Sequence, residues 1–226
     1  MEQIQFILCD PNEEICKEWK KNINKFQVNS NHKLTVFNGL LQDLHVQFDC
    51  IVSPSNQFLR LDGAFDQVIS EMFCAECPEK VTKVAQMHSH EYFNGYLPPA
   101  ASFVIPMHSF NETKYGCKYL LVCPTMRLPS DVRWNKEIVY NCMFSILNTL
   151  NNHNKYKKEK IKTVLITGLA SGIGRVPEII VGAQMILAYK HFLQNLHKPN
   201  KTTSWGQATS FGLDLDETIR VPVNFV

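Results

Sequence analysis

The strongest constraint on the fold is one stretch where a short apolar run leads directly into a glycine-rich turn and then a helix. Val164 to Thr167 has the pattern of a buried strand, and three glycines ending at Gly174 form the turn. Pro177 and Glu178 are typical of a helix start. Glycines at such a turn let the backbone approach an anion, and the helix N-terminus supplies N–H donors. The stretch therefore predicts a phosphate-binding loop.

Short apolar runs of strand length recur along the rest of the chain and alternate with helical patterns. Strands are predicted at Ile4–Cys9, Leu34–Phe37, Asp49–Ser53, Ser102–Met107, Tyr119–Pro124 and Lys162–Thr167. Helices are predicted after Glu13, across Phe65–Met72, across Ile138–Leu150 and after Pro177. This alternation is typical of an α/β protein, and 226 residues suffice for a single domain spanning 1–226. Two polar stretches, NNHNKYKKEK and HKPNKTTSWGQ, are predicted to be flexible.

Composition narrows the range of partners. The net charge of +2 is too small to indicate a nucleic-acid partner. No window approaches about 18 consecutive apolar residues, as a membrane span requires. The N-terminal MEQIQFILCD has the pattern of a strand and not of a signal peptide. We therefore expect a cytoplasmic or nuclear protein without a membrane or nucleic-acid partner, and the sequence leaves its oligomeric state open.

The eight cysteines are scattered along the chain and are predicted to be reduced thiols. Cys74 and Cys77, together with His88 and His90, form a C-x2-C-x10-H-x-H pattern that contains four potential zinc ligands. The H-x-H spacing is tighter than in zinc fingers, so we favour a buried Cys74 beside surface histidines. We expect no bound metal and no cofactor.

The glycine turn also contains TGxxxGxG, from Thr167 to Gly174, which is the fingerprint of short-chain dehydrogenases. In a dinucleotide-binding fold this turn opens the first βαβ unit, whereas here only 52 residues follow Gly174. Short-chain dehydrogenases also carry a downstream YxxxK pair, and no such pair follows Gly174. The sequence therefore disfavours a nicotinamide-dependent enzyme and favours a phosphate-binding loop of another kind.

Two stretches taken together resemble the macro domain, a three-layer α/β/α module with a mixed twisted sheet that binds ADP-ribose. The first is IVSPSNQFLRLDGAFDQVI, from Ile51 to Ile69, and the second is GLASGIGRVP, from Gly168 to Pro177. Their order and spacing match the two ligand loops of that family. The chain is most similar to a divergent fungal branch, to which ADP-ribose 1''-phosphate phosphatase activity is ascribed. That branch shares an ILCD-x-NE turn, which begins here at Ile7, and a Val-Pro pair at the end of the second stretch.

The resemblance implies roles for individual residues. Asn56 matches the second Asn of the family's NAAN turn at the distal ribose, and Asp66 matches an acidic residue that acts as a base or orients water. The ligand-binding residues implied by the two stretches are Ser53, Gly63, Ala64, Phe65, Ser171, Gly172, Ile173 and Gly174. Taken singly, Asn56 is also typical of a turn and Asp66 of the first turn of a helix, so a structural role remains the alternative for each.

Three departures from the family pattern alter these expectations. Leu40 stands where many macro domains have the Asp that reads adenine, and Asp10 is the carboxylate we expect to reach the base edge instead. Asp62 and Ala64 replace two of three glycines, which brings a carboxylate next to the diphosphate. Arg175 stands where the family has a glycine, and it is predicted to pair with a terminal phosphate or with Asp62.

The resemblance implies that the chain binds ADP-ribose or a derivative. It further implies hydrolysis of a substituent on the distal ribose, such as a 1''-phosphate, an acyl group or a protein adduct. The alternative is a non-catalytic ADP-ribose reader, or a degenerate macro domain that acts through protein partners.

Overall fold

The computed structural model describes residues 4–28, 33–111, 113–198 and 202–220. Its strands form one six-stranded sheet in the order β2-β1-β6-β3-β5-β4. They are β1 (Gln5–Asp10), β2 (Leu34–Asn38), β3 (Cys50–Ser53), β4 (Phe103–Pro106), β5 (Tyr119–Val122) and β6 (Thr163–Ile166). Every neighbouring pair is parallel except β4 and β5, so the sheet is mixed. The carboxyl ends of the five parallel strands therefore meet at one edge of the sheet.

Helices cover both faces of this sheet. They are α1 (Glu13–Phe26), α2 (Ala64–Phe73), α3 (Pro78–Phe93), α4 (Ile138–Tyr156), α5 (Glu178–Leu196) and α6 (Trp205–Ile219). Helices α1, α4 and α5 pack on one face, and α2 and α3 pack on the other. The three-layer α/β/α sandwich with a mixed sheet that the sequence predicts is confirmed.

Two apolar cores lie on the two sides of the sheet because successive strand residues point to opposite faces. In β1, Phe6 and Leu8 belong to the core under α1, α4 and α5, whereas Ile7 and Cys9 belong to the core under α2 and α3. A strand that is buried on both faces is apolar at nearly every position. This is why the strands stand out in the sequence as continuous apolar runs.

Helix α6 is attached to α5 through a buried histidine. His191 is fully buried, and its Nε2 and Nδ1 atoms lie 3.0 Å from Oδ2 of Asp214 and 3.0 Å from the hydroxyl of Tyr140. Its ring also stacks on Phe211 with the ring centres 4.1 Å apart. Since burial lowers the pKa of His191, the neutral ring is favoured and its two nitrogens serve the two polar partners. This contact, with the buried Leu215, holds α6 in place.

The six predicted strands and four predicted helices occur where the sequence indicates. The prediction that NNHNKYKKEK is flexible is wrong for its first half, since residues 151–156 complete α4. In HKPNKTTSWGQ, Trp205 begins α6, while residues 199–201 lie outside the described part of the chain. Helices α3 and α6 are not anticipated by the sequence patterns above. Among the described helices, none combines the length and apolar character needed to cross a bilayer.

One cysteine pair departs from the prediction that all eight thiols are reduced. Cys74 and Cys77 form a disulfide in the connection between α2 and α3, so that prediction is wrong for these two residues. Cys74 is also partly exposed, contrary to the buried position that we expected. The C-x-x-C spacing brings the end of one helix and the start of the next close enough for the bond. The other six cysteines are free and buried.

Candidate functional site

A cavity of about 360 Å³ lies at the carboxyl ends of β1, β3 and β6. Its size is within the range of sites for nucleotide-sized ligands, roughly 300–1,000 Å³. Two segments form about half of its wall, and we call them the first loop (residues 54–63) and the second loop (residues 167–177). In open α/β sheets, ligands bind at this edge because the loops after parallel strands converge there.

The cavity brings together ten of the twelve predicted site residues. These are Asp10, Asn56, Gly63, Ala64, Phe65, Asp66, Ser171, Gly172, Ile173 and Gly174. The other two lie outside its lining. Ser53 is fully buried behind Asp66, and Arg175 belongs to the second loop but does not line the cavity, and its charge helps to lower the pKa of Asp131.

Asp66 presents a carboxyl group to the cavity from the first turn of α2. Its Oδ1 accepts a hydrogen bond of 2.7 Å from the hydroxyl of Ser53 at the end of β3. Burial raises the pKa of Asp66 from an ordinary value of 3.8 to about 7, and the negative charge of Asp62 adds to this rise. The Ser53 hydrogen bond acts in the opposite direction. The helix cap is Gly63, which lacks a side chain, so Asp66 does not cap α2.

Asn56 uses its amide to hold the first loop in shape. Its Oδ1 accepts hydrogen bonds from the backbone N–H groups of Phe58 at 3.1 Å and Arg60 at 3.4 Å. Its Nδ2 donates to the carbonyl of Arg60 at 2.9 Å. The structural role of Asn56 as a turn residue is therefore present, although the residue also lines the cavity. One N–H of the amide remains for another partner.

Arg60 and Asp62 form an ion pair at the wall of the cavity. Nε of Arg60 donates to Oδ2 of Asp62 at 2.9 Å, and Nη2 contacts the same oxygen. The carboxylate that the sequence places beside the phosphate site is thus neutralised from within the first loop, and Arg175 is not its partner. Sequence reasoning missed Arg60, and the only available signal is the Arg-x-Asp spacing within a loop.

The second loop exposes backbone N–H groups to the cavity. Among the hydrogen bonds of the described residues, none is donated by the N–H groups of residues 171–174. A Cβ at Gly172 would meet no atom within 4 Å, so the backbone there borders open space. A run of N–H groups beside a helix N-terminus forms a site for an anion. Ala64 and Phe65 at the start of α2 add two more N–H groups that a helix leaves unpaired.

The shape of the second loop depends on its own backbone. The N–H of Arg175 donates to the carbonyl of Gly172 at 3.0 Å, and the N–H of Val176 donates to the carbonyl of Ala170 at 3.1 Å. A Cβ at Gly174 would lie 2.5 Å from the Ala170 carbonyl oxygen, so only glycine fits there. Ala170 and Arg175 have positive φ angles of 59° and 56°, a region that favours glycine. Arg175 therefore adopts the backbone conformation of the glycine that it replaces.

Asp10 ties β1 to the second loop. Its Oδ2 accepts hydrogen bonds from the Thr167 hydroxyl at 2.8 Å and the Gly168 N–H at 3.0 Å. Its Oδ1 accepts from the N–H of Asn12 at 2.8 Å. Both oxygens are thus engaged inside the protein, although Asp10 borders the same end of the cavity as the exposed Leu40.

The segment after β5 supplies a wall that sequence reasoning did not assign to the site. Thr125, Met126 and Pro129 line the cavity, and Met126 forms an isolated β-bridge with Asn56. The N–H of Val132 donates to the carbonyl of Gly174 at 3.0 Å, which joins this segment to the second loop. Its position after a parallel strand is the signal that would have identified it.

In the described residues, the two cysteines and two histidines of the C-x2-C-x10-H-x-H pattern do not form a zinc site. The Cys74 and Cys77 sulfurs are bonded to each other and cannot both act as thiolate ligands. His88 contacts the carbonyl of Val84 with its Nδ1 at 3.1 Å. Across residues 4–28, 33–111, 113–198 and 202–220, no group of three or more potential metal ligands comes together.

Known proteins share this architecture. The sequence matches the profile of the Macro-like domain family over residues 45–200. The structure is similar to a macrodomain of Oceanobacillus iheyensis with ADP, at 14% identity and a TM-score of 0.51, covering 76% of this chain and 85% of the other. It is also similar to a mutant of that macrodomain with ADPR, at 14% identity and a TM-score of 0.50, covering 80% and 90%. The likeness to these structures concerns the fold, and the profile match spans more than half of the chain. The chain belongs to the Macro-like domain family.

Proposed function

We propose that this chain, as a single domain over residues 1–226, binds ADP-ribose or a derivative in the cavity. We further propose that it hydrolyses a substituent on the distal ribose. The first candidate substituent is a 1''-phosphate, in keeping with the resemblance to the fungal branch. The two similar Oceanobacillus iheyensis macrodomain structures are with ADP and with ADPR, which supports an adenine nucleotide of this class here.

The observation that carries the proposal is the carboxyl group of Asp66. It borders the cavity, the hydroxyl of Ser53 orients it, and its pKa is raised to about 7. A carboxyl group that titrates near neutral pH can accept or donate a proton under ordinary conditions, whereas a solvated one is a weak base. A carboxyl group whose pKa is shifted toward neutrality and which borders a cavity is typical of a functional site.

The diphosphate fits the N–H groups of the second loop. Residues 171–174 offer N–H donors that no hydrogen bond of the described residues uses, and they precede the 19-residue helix α5, whose positive end favours an anion. Arg60 stands on the opposite wall, where its pairing with Asp62 reduces the repulsion between that carboxylate and a phosphate. The open space at Gly63 and Gly172 gives the phosphates room to approach the backbone.

In the proposed reaction, the ionised Asp66 removes a proton from a water molecule as its oxygen attacks the substituent. For a 1''-phosphate, the new bond forms between the water oxygen and phosphorus, and the phosphorus–ribose oxygen bond breaks. The products are inorganic phosphate and ADP-ribose, and the proton held by Asp66 returns to the leaving oxygen or to solvent. The free N–H of the Asn56 amide is available to orient a ribose hydroxyl.

The test combines calorimetric titration of ADP-ribose with phosphate release from ADP-ribose 1''-phosphate. Asp66→Asn keeps the size of the side chain and removes the base, so kcat should fall about 100-fold or more while the Kd for ADP-ribose changes little. Asp216→Asn on the exposed side of α6 is the matched control and should leave both unchanged. Full hydrolysis by Asp66→Asn would refute the catalytic role, and no heat with millimolar ADP-ribose would refute binding.

A specific observation favours the second candidate, a non-catalytic reader. The amide of Asn56 makes three hydrogen bonds within the first loop, which leaves one N–H group of the amide to position a ribose. A reader would bind ADP-ribose with the same N–H groups and show no turnover of any of the three substituents. Binding without hydrolysis by the unmodified chain would therefore select this alternative.

A further inference from the structure

The eight cysteines divide into two groups with opposite environments. Six are free and buried: Cys9, Cys16, Cys50, Cys117, Cys123 and Cys142. Burial raises the pKa of the Cys9, Cys16, Cys50, Cys117 and Cys123 thiols, which keeps them protonated and unreactive. Cys74 and Cys77 are partly exposed and bonded to each other. Only this pair combines access to solvent with a bond that thiols can exchange.

The pair occupies a helix junction that suits thiol chemistry. Cys74 follows the last residue of α2, and Cys77 is the N-cap of α3, whose first residue is Pro78. The positive end of α3 would stabilise a thiolate on Cys77 when the bond opens. A stable thiolate is a good leaving group, so this disulfide is open to attack by another thiol.

The two helices joined by the disulfide also hold the first loop at one buried residue, Leu61. The N–H of Leu61 donates to the hydroxyl of Thr82 on α3 at 3.1 Å. Its carbonyl accepts a hydrogen bond of 2.8 Å from the hydroxyl of Ser70 on α2. The neighbours of Leu61 on either side, Arg60 and Asp62, line the cavity. The relative position of α2 and α3 therefore determines how firmly this wall is held.

We propose that Cys74–Cys77 is a site of reversible thiol–disulfide exchange with a low-molecular-weight thiol, and that the oxidised bond keeps the first loop firmly held. A thiolate attacks one sulfur to form a mixed disulfide, and a second thiol molecule attacks that intermediate. The net change is one protein disulfide plus two thiols giving one protein dithiol plus one small disulfide. In the reduced state, the short connection between α2 and α3 loses a covalent restraint, and the contacts of Leu61 weaken.

The first test measures exchange directly with glutathione as the probe. The folded chain, purified without reductant, is incubated with reduced glutathione, labelled with an alkylating agent and analysed by peptide mass spectrometry. We expect no label on Cys74 or Cys77 before glutathione, two labels after it, and loss of labelling again after glutathione disulfide is added. Labelling before reduction, or none after it, would overturn the proposal, as would equal labelling of the six buried cysteines.

The second test follows Leu61 by hydrogen exchange without any ligand. Reduction should make the Leu61 amide exchange about ten-fold faster, because the connection between the two helices that bracket it loses its disulfide restraint. Peptides of the second loop, which neither helix holds, serve as the internal reference and should not change. In the double variant Cys74→Ser with Cys77→Ser, the Leu61 amide should exchange at the same rate as in the chemically reduced chain. Addition of glutathione should not change that rate. Equal Leu61 exchange in the two redox states would remove the link between this site and the first loop.

The consequence for ligand binding rests on the proposed function and is measured separately. The Kd for ADP-ribose should be about five-fold weaker in the reduced chain and in the double serine variant, at the low end of typical coupling between two sites. If neither state binds ADP-ribose, the proposed function fails while the exchange and Leu61 results still decide this proposal. If both states bind with one Kd, the coupling to the cavity is wrong.

Discussion

The two loops that form the cavity are stabilised in different ways. The first loop has backbone hydrogen bonds at Gln57 but is held mainly by side chains, namely the Asn56 amide, the Arg60–Asp62 pair and the hydroxyls of Ser70 and Thr82. The second loop is held by its own backbone hydrogen bonds, by the Asp10 carboxylate and by Gly174, where a Cβ would clash with the backbone. Contacts made by side chains can be lost through substitutions outside the loop, whereas the close backbone approach at Gly174 excludes any side chain at that position.

The largest effect is expected from Gly174→Ala in the second loop. The added Cβ would lie 2.5 Å from the carbonyl oxygen of Ala170, a backbone atom that cannot rotate away. We expect a loss of about 3 kcal/mol or more in the free energy of unfolding, at the upper end for overpacking. Chemical denaturation measures this loss. Gly172→Ala is the matched control, since its Cβ meets nothing within 4 Å, and it should change stability by less than about 0.5 kcal/mol. Equal losses for the two variants would contradict the rigid backbone of the second loop.

Asp66→Asn should increase stability in a pH-dependent way. The folded pKa of about 7 lies above the ordinary value of 3.8, so the folded chain holds this proton more tightly than the unfolded chain. The stability contributed by Asp66 is therefore complete below about pH 4 and is lost as the pH rises through about 7. Removing the carboxyl should raise the free energy of unfolding by about 2 kcal/mol at pH 8, allowing for partial exposure, and hardly change it at pH 4.

Urea denaturation of Asp66→Asn and of the unmodified chain at both pH values checks this expectation. Asp131→Asn is the control, because the pKa of Asp131 is shifted in the opposite direction from that of Asp66. The hydrogen bond and charge of Arg133 lower the pKa of Asp131 to about 2, so its loss should not stabilise the chain at pH 8. A stability gain for Asp66→Asn that is the same at pH 4 and pH 8 would show that its folded pKa is not raised.

The sequence predicts the strands and the second loop better than the rest of the molecule. Buried strands and glycine turns have local signals, because apolar runs and missing side chains are visible in the sequence itself. Helix α3 has no such signal, since only Val81, Ala85 and Ser89 of its 16 residues are buried. Helix α6 docks largely through His191, which packs against residues far along the chain, and a pattern search cannot anticipate that contact.

The predicted site residues also divide into those with a local sequence signal and those whose contacts depend on the folded conformation. Gly172 and Gly174 could be assigned to a phosphate loop because glycine between a strand and a helix has a physical meaning on its own. The partner of Asp62 could not be assigned, because choosing Arg60 over Arg175 requires the conformation of the first loop. The same applies to the disulfide, whose C-x-x-C spacing is shared by metal sites, redox sites and free thiols.

Ser70→Ala should weaken the first loop from a distance. Ser70 is fully buried, and its hydroxyl is the partner of the buried Leu61 carbonyl at 2.8 Å. Because an unpaired buried carbonyl keeps its desolvation cost, we expect the free energy of unfolding to fall by about 1–2 kcal/mol. Ser171→Ala is the matched variant in the second loop. Its hydroxyl donates to the Gly168 carbonyl at 3.0 Å beside the cavity, where water can replace it, so the loss should stay below about 0.5 kcal/mol. A larger loss for Ser171→Ala would reverse the comparison between the loops.

The smallest effect is expected from Ala64→Gly, directly after the first loop, where the resemblance to the macro domain implies a glycine. Ala64 has a φ of 50° and an exposed side chain, so its methyl group costs backbone strain and contributes little packing. The substitution should raise the free energy of unfolding by about 0.5–1 kcal/mol, since relief of strain outweighs the larger freedom of the unfolded chain. Ala170→Gly in the second loop relieves the same strain but removes a methyl group that is buried in the core, so its net effect should be near zero. Thermal denaturation of the two variants side by side measures the difference, and equal gains would mean that the Ala170 methyl group contributes nothing to the second loop.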